Sequence, residues 1–71
     1  MNFKLVNQYI RDSGLKLGYI AKQLGITYVA LHNKMNGKHP FTLKELTILR
    51  ELLKLDDDQW NALFIWLGGS L

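Results

Sequence analysis

Apolar residues recur along this chain at helical spacing, and no stretch alternates with the period of two that marks a half-buried strand. Glycines and a single proline divide the pattern into five predicted helices. Asn2 is placed to cap the first, whose apolar positions are Phe3, Val6 and Ile10 and which stops at Ser13-Gly14. The second runs from about Leu17 to Leu24, with Tyr19, Ile20 and Leu24 apolar, and Gly25 supplies a turn that needs positive φ. Thr27 reads as the cap of the third, with Ile26 and Leu31 as its hydrophobic staple; it extends to about Asn36, and Gly37 closes it before the loop Lys38-His39-Pro40.

The fourth helix opens on a capping box, Thr42 with Glu45, framed by Phe41 and Leu46. Its residues Leu43, Leu46, Ile48, Leu49, Leu52 and Leu53, followed by Leu55, cover a wide arc, so it is expected to be central in the core. Asp56 and Gln59 repeat the box with Leu55 and Trp60 as staple, starting a fifth helix over about 57–67. Asp56, Asp57 and Asp58 suit the positive end of that helix; as neighbours they point in different directions, so capping rather than metal binding is their expected role. The fifth helix has two apolar faces. Trp60, Leu63, Phe64 and Leu67 form one stripe; Ala62, Ile65 and Trp66 lie roughly opposite. A terminal helix in a small monomer needs one buried face, so Ile65 and Trp66 are read as an oligomer interface.

The expected fold is therefore all-α, a compact five-helix bundle forming one domain over 1–71. A chain this short buries only about 60% of its unfolded surface, so the core is thin. Without cysteine, stability must come from helix packing or association rather than disulfides, and a reducing, cytoplasmic setting fits. No apolar run approaches the ~18 residues of a membrane span, and the N-terminus lacks a secretory apolar region.

Charge changes the picture more. The net charge is +3 and the isoelectric point about 9.4. Between Ser13 and Lys44 there are five lysines, Lys16, Lys22, Lys34, Lys38 and Lys44, and no Asp or Glu. This basic window contains the second and third helices. Two helices joined by a tight turn need a small residue at their approach, which Ala21 provides, and Gly25 in the turn. Ile20, Leu24, Ile26 and Leu31 sit at offsets that pin one helix to the other, leaving Thr27, Tyr28, His32, Asn33 and Asn36 facing outward.

Through Ile20-Ala21, Leu24-Gly25-Ile26, Asn36-Gly37-Lys38 and the helix after Thr42, residues 3 to 55 resemble the Cro/CI-type (lambda repressor-like) helix-turn-helix family of phage repressors and their bacterial relatives, with the motif at about 17–36. The resemblance implies that the third helix enters the DNA major groove. Tyr28, Val29 and Asn33 would then face bases, with Thr27, His32 and Asn36 nearby and Lys16, Lys22 and Lys38 on phosphates. Asn33 is suited to the adenine edge, and Tyr28 and Val29 to thymine methyls and backbone.

Three departures mark this chain. Where the family starts its second helix with Thr or Ser and then Gln, this one has Lys16 and Leu17, followed by Gly18, which leaves that helix poorly capped. The family's ion pair between the first and third helices is replaced by Ile10 and Met35, an exchange that is often neutral or stabilising when both partners change. Lys34 occupies a usual apolar position; either its stem packs and its head reaches water, or the third helix is rotated.

No nucleophile–base set, Gly-rich phosphate loop or metal-ligand spacing supports catalysis, and no cofactor, small-molecule ligand or membrane partner is expected. The expected function is a Cro-like transcription repressor binding double-stranded operator DNA, as a homodimer if the fifth helix pairs, in the cytoplasm of a bacterial host and within a phage lysis–lysogeny switch. The competing expectation is an antirepressor that keeps the fold but binds a partner repressor protein. Its motivation is the weakened start of the second helix, the Tyr28-Val29-Ala30 run and the apolar content of the fifth helix.

Overall fold

The computed structural model describes residues 1–64. Within them the fold is all-α, with helices α1 (Phe3–Ser13), α2 (Leu17–Leu24), α3 (Tyr28–Met35), α4 (Leu43–Leu53) and α5 (Asp57–Ala62). Four helix starts are closed by their own side chains. Asn2 accepts from the Leu5 amide and Thr27 from Ala30, while Thr42–Glu45 and Asp56–Gln59 form complete capping boxes. Among the described helices, α2 alone lacks a side-chain cap, at Lys16.

The helix ends are equally specified. Gly25, Gly37 and Lys54 adopt left-handed φ of 73°, 80° and 52°. At each, the amides just past the helix turn back onto its last carbonyls, as in Ile26 to Ala21 (3.0 Å), Lys38 to Asn33 (2.9 Å) and Leu55 to Arg50 (3.1 Å). α1 also ends on a left-handed residue, Gly14 (φ 72°), whose amide returns to the Arg11 carbonyl (3.2 Å), but its next amide meets a side chain. The Ser13 hydroxyl donates to the Ile10 carbonyl (2.6 Å) and accepts from the Leu15 amide (3.1 Å), completing the turn around Gly14.

The core joins Val6 and Ile10 of α1, Ile20, Ala21 and Leu24 of α2, Leu31 and Met35 of α3, and Leu49, Leu55 and Leu63. α2 is its centre, packing on both α3 and α4, with Ile20 completely buried. The wide apolar arc of α4 does not make that helix central. Leu43 is 80% exposed, and only Leu49 and Glu45 of α4 are buried. Tyr19 of α2 is also exposed. Leu43 lies in the first turn beside the cap and Tyr19 on the outer side of α2, so their neighbours along the helix do not bring them to the core.

α5 is shorter than its apolar pattern suggested. It ends at Ala62, with Leu63 and Phe64 in a turn. The Leu63 carbonyl accepts from the Asn2 amide (2.6 Å), which ties this end to the start of α1. Leu63 is buried, but Phe64 leaves the expected stripe and is exposed, its ring edge-on to Trp60 at 5.0 Å. Arg50 secures α5 to α4. Its guanidinium pairs with Asp57 and lies 5.3 Å from the Trp60 ring centre. Leu67, and Ile65 and Trp66, which the sequence suggests as an oligomer interface, lie outside the described residues.

Gly37 carries two constraints, its left-handed φ and the Phe3 ring 3.2 Å from where a Cβ would sit; Gly25 carries only the first. Gly25→Ala is expected to lower stability by about 1 kcal/mol and Gly37→Ala by more, about 2 kcal/mol. Denaturant unfolding checks the order of the two; equal losses would show that Phe3 gives way freely.

Candidate nucleic-acid interface

α3 owes its position to three attachments. Leu31 and Met35 bury one side of it in the core. Asn7 of α1 donates its side-chain amide to the Met35 carbonyl at 3.2 Å and to Phe3 at 2.8 Å, which holds the far end. Lys34 forms the third, with its Nζ 2.5 Å from Glu45 Oε1.

At about 100° per residue, Tyr28, His32, Asn36, Val29 and Asn33 fall within an arc of about 140°, while Ala30, Lys34, Leu31 and Met35 occupy the remainder. Exposure follows this geometry. Val29, near the middle of the arc, is 66% exposed and Tyr28 is 53% exposed. His32 and Asn33 are half-buried and Asn36 is exposed. The structure thus brings together five of the predicted site residues on one face. The His32 ring rests against Tyr28, centres 4.7 Å apart and tilted by 57°. The Asn33 side chain makes no hydrogen bond among the described residues, so its amide is open to a ligand. Thr27 has a structural duty first, its Oγ1 accepting from Ala30 at 3.0 Å; the hydroxyl proton remains to donate.

Lys16, Lys22 and Lys38 are exposed, and none pairs with a carboxylate among the described residues. Lys16 stands at the start of α2, Lys22 in its last turn, and Lys38 just past α3, where its amide is fixed to Asn33. The space around Gly18, in the uncapped first turn of α2, is open.

Lys34 resolves in a way the sequence reading did not foresee. No rotation of α3 is needed to place it: its side chain is largely covered and its head is received by Glu45. Glu45 is buried, and its Oε1 also accepts from the Thr42 amide at 2.9 Å, so a single carboxylate closes the α4 capping box and anchors α3. Burial acts to raise its pKa, but the Lys34 ammonium and the Thr42 donors outweigh it and hold Glu45 below its ordinary value of 4.5. The signal for this pair was a lysine in an apolar slot with one acid nearby in the next helix.

Ile10 and Met35 are both buried in the core cluster. They border a cavity of about 300 Å³ shared with Asn7, Arg11, Leu15 and Leu17. Among the described residues no three His, Asp, Glu or Cys side chains converge as metal ligands, and no helix is long and apolar enough to cross a membrane. In comparisons with known protein families, curated proteins and solved structures, the chain shows no significant match.

A depressed pKa in the folded state means that Glu45 contributes stability above about pH 4.5, and that this contribution disappears as pH falls through the lowered value. Glu45→Gln, which leaves the Lys34 charge without a counterion, is expected to cost about 3 kcal/mol at neutral pH. Because protonated Glu45 is also neutral, the gap between wild type and variant should close on acidification. Chemical denaturation from pH 7 to pH 3 measures it; a pH-independent gap would contradict the ion pair.

Proposed function

We propose that this protein is a sequence-specific DNA-binding transcription regulator of Cro/CI type, of phage or prophage origin, that places α3 in the major groove of its operator. The observation that carries the reading is a coincidence of shape and charge. The exposed arc of α3 lies within the acid-free window from Ser13 to Lys44, flanked by Lys16, Lys22 and Lys38, which meet no carboxylate among the described residues. Phosphate contacts from these lysines supply affinity and register; α3 supplies discrimination. The function that follows is repression by occluding the promoter, in the cytoplasm of a bacterial host, as one arm of a lysis–lysogeny switch.

The test is a salt-titrated mobility shift on DNA from the gene's own neighbourhood. Lys38→Ala should weaken every sequence alike and reduce the salt slope by about one. Asn33→Ala should remove about 1–3 kcal/mol of discrimination at one base step. If Asn33→Ala leaves both affinity and preference untouched, α3 does not lie in the groove in this register.

Operator binding as a dimer, through Ile65 and Trp66, is part of the same proposal. Sedimentation should show a dimer that Trp66→Ala dissociates; a wild type that stays monomeric at high micromolar concentration rules this pairing out.

A second reading has its own observation. Tyr28 and Val29 are strongly exposed apolar residues, and α2 lacks the polar cap of a usual DNA reader. An antirepressor that covers a partner repressor would use that face. Tight binding to the repressor of a neighbouring gene, with no DNA retardation even at low salt, would establish this reading and remove the first.

A further inference from the structure

We infer that α3 reads A·T base pairs through the 5-methyl group of thymine, with Val29 as the contacting side chain. This deepens the DNA-binding reading above and rests on it.

Each base presents different chemistry in the major groove. Guanine offers two acceptors best met by Arg or Lys, and cytosine an amine met by Asp or Glu. Adenine offers a donor and an acceptor met by Asn or Gln, and thymine a methyl group met by apolar side chains. α3 contains no Arg, Asp or Glu. Its one lysine, Lys34, lies on the opposite side of the helix and is bound by Glu45 at 2.5 Å. The exposed arc therefore lacks the side chains that read G·C pairs most strongly. His32 is half-buried with its ring against Tyr28.

What the arc does present is apolar surface and side-chain amides. Val29 sits near its centre and in the first turn, the part of a recognition helix that meets base edges. Asn33 lies one turn further along the same line, with its amide uncommitted among the described residues, and complements adenine beside a contacted thymine. The basic frame of Lys16, Lys22 and Lys38 matches a polyanion, which makes duplex DNA rather than an apolar protein surface the occupant.

Duplexes retained by the protein are selected from a random pool, and each thymine of the selected half-site is then replaced by deoxyuracil, which lacks only the methyl group. An A·T-rich half-site is expected, with at least one thymine at which deoxyuracil weakens binding about fourfold, the value of one buried methyl. Val29→Ser should erase that difference while leaving the salt slope unchanged; Val29 is exposed, so folding is not at stake. Half-sites dominated by G·C pairs, or deoxyuracil tolerated at every position, overturn this inference while the DNA-binding reading stands. If no duplex is retained at low salt, the DNA-binding reading fails and the inference fails with it.

Discussion

The structure depends first on the burial of Ile20 and Leu31, which lose all exposure in the core shared by α2 and α3. In a chain of this size the apolar core is small, and two of its fully buried side chains belong to the two helices that the Gly25 turn joins. That packing sets which side of α3 looks inward. Leu31 and Met35 go to the core, and the arc from Tyr28 to Asn33 is left to solvent. The face proposed to meet DNA is the complement of the face the core requires.

Polar groups then lock what the apolar core leaves loose. An eight-residue helix is too short to be stable alone, so α3 must borrow its order from tertiary contacts. Thr27 closes its start, Asn7 holds its last carbonyl, and Glu45 takes Lys34. The Glu45 contact has an electrostatic consequence. Burying Lys34 against a carboxylate removes one positive charge from the basic window as seen from outside, and shifts the cationic character to the residues before, within and after the helix-turn-helix: Lys16, Lys22 and Lys38. The exposed lysines Lys16, Lys22 and Lys38, which pair with no carboxylate among the described residues, therefore lie before and after α3 in the chain and not on it. In DNA recognition that separation suits a division of labour, with phosphates engaged by the flanks and bases by the helix.

Most of the architecture was legible in the sequence because its determinants are local. Asn2, Thr27, the Thr42–Glu45 and Asp56–Gln59 boxes, and the glycines at 14, 25 and 37 act within a few residues of themselves, and every one is used as the pattern implied. What escaped depends on direction in three dimensions. Leu43, Tyr19 and Phe64 have core-like chemistry, yet they point away from the one small core available. The early end of α5 coincides with the bond from Asn2 to the Leu63 carbonyl, a contact across the whole chain. The Lys34–Glu45 pair joins residues in separate helices, and helical periodicity within either helix cannot reveal it. For the candidate interface, the outward arc of α3 was legible from its period, whereas the withdrawal of Lys34 from the charged surface was not.

Size now separates the two occupants proposed for the α3 face. A protein partner bound through this face would need on the order of 1,000 Å² of well-fitted surface, and interfaces of that kind are depleted in lysine. The apolar part of the α3 face is essentially Tyr28 and Val29, and the segments before and after α3 carry the exposed Lys16, Lys22 and Lys38. DNA interfaces, by contrast, are strongly positive and polar, and need only a few side chains at base edges. A helix of eight residues is about 12 Å long and spans roughly three to four base pairs. That is too short a word to mark one site in a genome. Doubling the reading head by pairing two chains is the physical route to a specific operator, which is why the DNA reading and the apolar residues Ile65 and Trp66 belong to a single argument.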